Sequence, residues 1–489
     1  MKRSYRMILI LLAFVLTCSF AACSSETEKK EDGNSDIIQK ENPEPADYVG
    51  MITFSTYRTD ENDMSAFNFI QAYNMKYPGV EIKLDNSLSR EEYFATLDAR
   101  IQSGDIGDVF MIDDSRMAKY ADTGLIANLS PYLEELIDYD TYKKLSPSEL
   151  LLPAAYEASL YEGRMYMCAT EYNNRFVFLN LSVIAEAGLS VPADLWTWTD
   201  LMEYAQQISG FCDYPLSVPY DDYAVWGAFA RSFGTSVYQT LDVELNSKSL
   251  NLTDPAVVNG LMELADLIYT YGNVKTSEEI SAEELSSYGM IVASYADLIR
   301  WEATLKSGDF EWDLAHFPQW ERTAADGTSV YYRSIGAEAL GLAVHSKTGA
   351  IAAAPGDDNY KEEAELAQEK VDMSAHLALF ALVESAAVDF AGSGHRVPAM
   401  KAVNSMKFWR EYPVSGKNSA VFSYYSGSDF AGVLTSFLPV QAAEELDIGT
   451  LMDSYAAFRK AQQETDAMQN RLFINEALQL LQDATNANW

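Results

Sequence analysis

The chain has 489 residues, 35 basic against 72 acidic, for a formal charge of −37 at neutral pH. That surface lacks the basic footprint phosphate binding needs, so nucleic acid is excluded as a partner; anionic lipid is repelled as well. With 48% apolar and 12% aromatic residues there is material for a large core, and the length exceeds the ~250–300 residues one core supports, so two lobes are expected.

In chain order, Met7 to Ala22 is an uncharged run of sixteen residues behind Lys2, Arg3 and Arg6, ending at Ala21-Ala22-Cys23. It is shorter than the ~20 apolar residues a bilayer span requires, and reads as an export signal over residues 1–22. A cysteine after two alanines resembles a bacterial lipobox, whose thiol takes a diacylglycerol and becomes the mature N-terminus, although Phe20 stands where leucine is usual. An ordinary secreted protein with a stray cysteine is the alternative. On either reading the protein works outside the cytoplasm; with a lipid on Cys23 it sits on the outer face of the cytoplasmic membrane. Loss of the leader leaves 32 basic against 72 acidic residues, a charge of −40. Residues 23–47 are polar and charged, with Ile37 and Ile38 the only bulky aliphatics, and read as a flexible tether stiffened by Pro43 and Pro45.

The body then alternates strands with helices. Gly50–Thr56 reads as a buried strand. Asp63 is placed to cap a helix carrying Phe67, Ile70 and Tyr73 on one side, which stops at Tyr77-Pro78-Gly79. Val80, Ile82 and Leu84 alternate as a second strand. Ser89 and Glu92 form a capping box for a helix with Tyr93, Leu97 and Ile101 on one face, ended by Gly104. Asp108–Ile112 is a third strand, Arg116–Tyr120 a short helix, and Ser130-Pro131 opens another with a capping serine. This order implies a mostly parallel sheet with its ligand loops at the strand C-termini. Cys168 and Cys212 lack a spacing signature and read as buried thiols, with a disulfide as the alternative. Leu451–Gln469 and Phe473–Ala484 read as two tail helices.

Several short motifs in this order carry a resemblance: Tyr77-Pro78-Gly79-Val80-Glu81-Ile82, Ser103-Gly104-Asp105-Ile106-Gly107-Asp108-Val109, Ala121-Asp122-Thr123-Gly124-Leu125-Ile126, Leu129-Ser130-Pro131, Phe178-Leu179-Asn180, Thr197-Trp198-Thr199-Asp200-Leu201 and His395-Arg396-Val397-Pro398-Ala399. Together they resemble the family 1 extracellular solute-binding proteins of ABC importers, the maltose-binding-protein-like group. The resemblance implies an α/β, two-lobed periplasmic-binding-protein-like fold of type II. Its three hinge crossings map near Met165–Asn173, Tyr332–Gly336 and His395–Ala399. Lobe one is then 48–168 plus 334–394, and lobe two 169–333 plus 395–489; Ala350–Lys370 maps as a surface insertion. It also implies capture of a small solute, a carbohydrate by preference, for delivery to ABC permease subunits by a monomer without cofactor, metal or covalent chemistry.

A sugar needs flat aromatic faces and fixed polar partners for its hydroxyls. The resemblance places Thr56, Tyr57 and Arg58 at the cleft, followed by Asp113, Asp114, Ser115 and Arg116. From the other lobe it brings Asp221, Tyr223 and Trp226, then Ser294 and Tyr295, with Tyr295 or Trp301 substituting for an absent tryptophan unless the pocket differs, and Glu338 beside the second crossing, where a hinge-stabilising charge is the alternative. Trp409, Tyr424 and Tyr425 are further candidates. For the acids the bland reading is helix capping; for Tyr223 and Trp226 it is core packing, with Asp221 as the cap. A secreted glycoside hydrolase using Asp113/Asp114 and Asp221/Asp222 is the enzyme alternative, and a ferric-ion binder using Tyr331-Tyr332 or Tyr424-Tyr425 another, as is a sensor that feeds no transporter. His345 and His395 read as structural.

Overall fold

The computed structural model describes residues 49–58, 64–133, 137–138, 143–192, 196–235, 237–242, 247–271, 280–308, 310–323, 327–332, 337–349, 360–391, 397–406, 416–422, 447–461 and 467–486. The leader, Cys23, the tether, Asp63, Gly336, Pro355–Asp358, His395, Trp409 and Tyr424-Tyr425 lie outside them. Strands of the two larger sheets are β1 (Gly50–Ser55), β2 (Val80–Asp85), β3 (Val109–Asp113), β4 (Cys168–Asn174), β5 (Phe176–Asn180), β6 (Tyr214–Ser217), β7 (Tyr288–Ala293), β8 (Trp312–His316) and β9 (Ala337–Val344). The helices used below are α1 (Ser65–Lys76), α2 (Arg90–Ser103), α3 (Asp114–Asp122), α4 (Trp198–Ile208), α5 (Tyr223–Ala230), α6 (Pro255–Tyr271), α7 (Tyr295–Ser307), α8 (Tyr360–Leu379), α9 (Glu384–Ala391), α10 (Ile448–Ala461) and α11 (Ala467–Asn486).

The first sheet has the order β2-β1-β3-β9-β4. Its first three strands are parallel, with Ile52 beside Ile82 and Phe54 beside Val109, as strands separated by single helices must be. β9 arrives from far along the chain and runs antiparallel to both neighbours, setting Gly341 opposite Ile112 and Leu342 opposite Cys168. On the outer side of β4, Tyr172 N–H donates to Val397 O and Ala399 N–H to Thr170 O, which covers that edge.

Helix α2 is built as its sequence reads. Ser89 and Glu92 form a full capping box, Gly104 closes the helix at φ 74°, and Tyr93, Leu97 and Ile101 are buried. Helix α1 differs. Its buried line is Ala66, Phe69, Ile70 and Tyr73, while Phe67 points outward and is 40% exposed. Spacing 3-1-3 selects Phe69, and Phe67 lies about 100° off that stripe. Ser130 is not a cap either: its hydroxyl accepts from Met165 N–H (2.8 Å), and Asn128 Oδ1 accepts from Ser130 N–H (3.0 Å).

The second sheet has the order β6-β7-β5-β8, with β6 parallel to β7 and β5 antiparallel to β7 and β8. Strand β5 is buried on both faces. Its alternation divides two cores: Val177 and Leu179 join Met290 and Val292 on one side, Phe176 and Phe178 join Ile291 and Ala293 on the other. Arg175 alone separates β4 of the first sheet from β5 of the second. Against the second core, α5 crosses α6 so closely that a Cβ on Gly260 would fall onto the carbonyl of Phe229. Only glycine fits there.

Residues 361–370, within the predicted surface insertion, belong to the first half of α8 and are half-buried to exposed, whereas the later residues Met373, Ala375 and Leu377 enter the first core. Both tail helices form, as α10 and α11. Cys168 and Cys212 are free thiols, with burial pushing Cys168 up to about 12. His345 is structural: Nδ1 accepts from Lys347 N–H (3.0 Å), so Nε2 carries the proton donated to Ile101 O (2.9 Å). Among the described residues no single helix is long and apolar enough to cross a membrane.

Candidate functional site

Loops that follow parallel strands gather at one edge of each sheet, where α/β folds bind ligands. After β1, Thr56 is buried; its hydroxyl donates to Met111 Sδ (2.9 Å) and accepts from Arg58 N–H (3.2 Å), a local turn. Tyr57 is half-buried against Tyr93 and Phe94, ring centroids 5.9 and 5.6 Å away. Arg58 turns inward. Its guanidinium pairs with Glu171 of β4, donates from Nη1 to Ser65 Oγ (3.0 Å) and Phe390 O (3.1 Å), and lies 3.9 Å above the Phe390 ring. Its side chain is fully buried, so in this conformation it spans the interior of the first half.

After β3, Asp113 caps α3, accepting from Arg116 N–H (2.8 Å) and from its guanidinium (2.5 Å). Arg116 is gripped on a second side by Asp98 at 3.3 Å and lies 5.5 Å over the Phe94 ring. Burial pushes the Asp98 carboxyl up, but a hydrogen bond from Tyr120 and the charges of Arg116 and Lys119 outweigh it and hold it below the usual carboxylate range. Asp114 and Ser115 occupy the first turn of α3, where the helix dipole favours the acid. Thr56–Arg58 and Asp113–Arg116 are thus brought together, through Met111, Tyr93 and Phe94.

In the second half the cap of α5 is Asp222, not Asp221: Asp222 accepts from Ala224 N–H (2.8 Å) and holds Arg175 at 2.6 Å. Asp221 is exposed, and α10 packs beside it, with Tyr220 donating to Asp453 (2.9 Å). Tyr223 is half-buried, edge-on to Trp226 at 4.9 Å. Trp226 is 1% exposed and belongs to the second core. Ser294 and Asp297 form a capping box for α7. Tyr295 is buried, and its backbone N–H donates to Asn173 Oδ1 (3.4 Å). Trp301 is core, its indole N–H donating to Ile280 O (2.9 Å). Glu338 lies in β9 opposite Asn173. Sequence reading passed over Arg175 and Phe94, and gave Asn173 no role beyond bounding a crossing; their contacts are with residues distant in the chain. Among the described residues no cluster of His, Cys, Asp and Glu is arranged to hold a metal.

The family model for bacterial extracellular solute-binding proteins matches residues 68–354, more than half of the chain. The chain belongs to that family. Solved structures of similar fold include an ABC substrate-binding protein from Listeria monocytogenes in complex with cycloalternan (17% identity, TM-score 0.55, covering 90% of this chain and 99% of that one). The maltose-maltodextrin binding protein of Alicyclobacillus acidocaldarius is similar at 13% identity and TM-score 0.53, over 88% and 100%. UgpB from Mycobacterium tuberculosis, in complex with glycerophosphocholine, is similar at 15% identity and TM-score 0.57, over 89% and 99%. At such identities the likeness is one of fold. It agrees with the two-lobed α/β architecture expected from the motifs; the extracytoplasmic binding role rests on the family match.

Proposed function

We propose that the protein is the substrate receptor of an ABC importer, held by a lipid on Cys23 and a tether over residues 24–47, and that its solute is a carbohydrate. One observation carries this reading: the family match runs through the loops Asp113–Arg116, Asp221–Trp226 and Ser294–Tyr295, all at the C-terminal ends of strands or the helices that follow them. Solved structures of the same fold, named for cycloalternan and maltodextrin, support the sugar class.

On this reading the two lobes meet at Arg175, between β4 of the first sheet and β5 of the second, rather than at residue 169, with 334–394 in lobe one and 395–489 in lobe two as mapped, and they close on the solute as a monomer, without covalent chemistry. Asp114, beside the Asp113–Arg116 pair, accepts hydroxyls from the first side. Asp221 and the half-buried Tyr223 face it from the second, with Tyr57 as an aromatic wall. Ser294 and Tyr295, with the chain positions of Ser115 and Glu338, border the same gap, and Arg58 and Trp226 hold its walls from inside. Solute contacting both halves only when they are shut sets the closed population by its differential affinity. A thermal-shift screen against mono- and oligosaccharides tests the class: a sugar at 100 times its dissociation constant adds ~2.7 kcal/mol. If no sugar shifts the transition while another solute does, the carbohydrate assignment falls; hydrolysis of a glycoside by the purified protein would end the receptor reading.

A further inference from the structure

The chain changes sheets within one residue, and a remote segment is fastened to both sides of that junction. Gly416–Phe422 lies along β8, the edge of the second sheet: Lys417 Nζ donates to Trp312 O (2.7 Å), Asn418 N–H to Asp313 Oδ1 (2.7 Å), and Asn418 Nδ2 to Leu314 O (3.1 Å). Phe422 is fully buried as a wedge between Phe176, at the start of β5, and Tyr295, at the start of α7, edge-on to each at 5.4 and 5.1 Å. These contacts all belong to the second sheet and its helices.

One contact does not. Asn174, the last residue of β4 in the first sheet, donates from Nδ2 to Val421 O (2.7 Å). Asn174 is 1% exposed, and among the described residues its Oδ1 has no hydrogen-bond partner. A buried amide satisfied on one side only is costly and calls for a physical reason. We infer that Asn174 and the Val421-Phe422 strap form a latch on the junction: the Asn174–Val421 bond holds the orientation of the two halves seen here, and rotation about residues 174–176 breaks it. This rests on the proposed hinge between the two halves.

The halves turn as bodies because each keeps its own hydrogen-bonded sheet, while the strap rides with the second through Lys417, Asn418 and Phe422. Rotation therefore strains Asn174–Val421 before the other strap contacts. Replacing Asn174 by leucine, close in shape but without donor or acceptor, removes the bond and the orphaned oxygen together.

The test is double electron–electron resonance on the full chain without solute, with nitroxides carried at the exposed positions Thr96 and Gln206 through a ketone-bearing amino acid that leaves the cysteines untouched. Asn174→Leu is expected to lower the population in the orientation seen here relative to the other by up to about tenfold, the upper worth of one net hydrogen bond. Phe422→Leu, which narrows the wedge but keeps it apolar, shifts the ratio in the same direction and serves if Asn174→Leu does not fold. A wild type with two populations whose ratio neither variant moves overturns the latch and keeps the hinge. A single narrow distance common to all three proteins overturns both.

Discussion

Removing the charge of Glu171 tests whether Arg58 is structural. The Arg58 side chain is wholly buried and that of Glu171 9% exposed, so neither charge is relieved by solvent. Glu171→Gln leaves a buried guanidinium that still has Ser65 Oγ, Phe390 O and the Phe390 ring but loses the Glu171 charge. Breaking one side of such a pair costs ~3–5 kcal/mol, a large share of the ~5–15 kcal/mol by which folded domains are stable. Arg58→Met should cost a similar amount, since it strands the Glu171 carboxylate. The double variant Arg58→Met/Glu171→Leu should recover most of the loss, because a buried ion pair replaced by apolar groups of similar volume is often neutral. Urea denaturation of the three variants at neutral pH, followed by tryptophan fluorescence, measures this. Should Glu171→Gln shift stability by less than ~1 kcal/mol, the buried pair is not what holds the β1 loop to β4, and Arg58 returns to the list of residues available to a solute.

Four other outcomes follow from the same structure. His376 is buried beside the Tyr73 hydroxyl (3.0 Å), and burial pushes its pKa down to about 3. The unfolded chain therefore takes that proton first; the contribution of neutral His376 is complete above pH ~6.5 and fades at up to ~1.4 kcal/mol per pH unit as pH falls toward 3. His376→Gln should lose less stability than the wild type between pH 7 and pH 5 in paired denaturation curves, and equal losses would refute the assignment. Gly260→Ala, which drives a methyl onto the Phe229 carbonyl, should cost ~1–3 kcal/mol by forcing α5 from α6, read as a lowered melting temperature; an unchanged one would show the helices can part freely. Trp226→Ala should cost ~3–5 kcal/mol of stability through lost core volume, seen in urea curves, and a loss under 1 kcal/mol would mean the ring is not core in solution. Asp114→Ala should lower stability by only ~0.3–1 kcal/mol, the loss of an acid at the N-terminus of α3, while weakening the sugar found by screening by ~1–3 kcal/mol in calorimetry; unchanged affinity would remove Asp114 from the site.

Much of the secondary structure was legible locally. Ser89 with Glu92, and Gly104 at the other end, delimit α2 through hydrogen bonds within a few residues, and alternation along Val80–Leu84 marks a strand that forms. Motif order pointed to the solute-binding family, which the family match bears out. The acidic charge is a property of composition, written in the chain whatever its fold, and the expected leader and tether rest on composition alone. Tertiary contacts decided the rest. That β9 inserts antiparallel between β3 and β4, and that β5 divides two cores, depends on pairings hundreds of residues apart, which no local pattern encodes. The same physics separated side chains the motifs had grouped. Arg58 turned inward because Glu171 and Phe390 supply a charge and a ring there, while Asp222 rather than Asp221 took the cap because Arg175 braces it. A side chain's chemistry is set by its type, but its partner is set by what packing brings within a few ångströms, and that is a property of the folded whole.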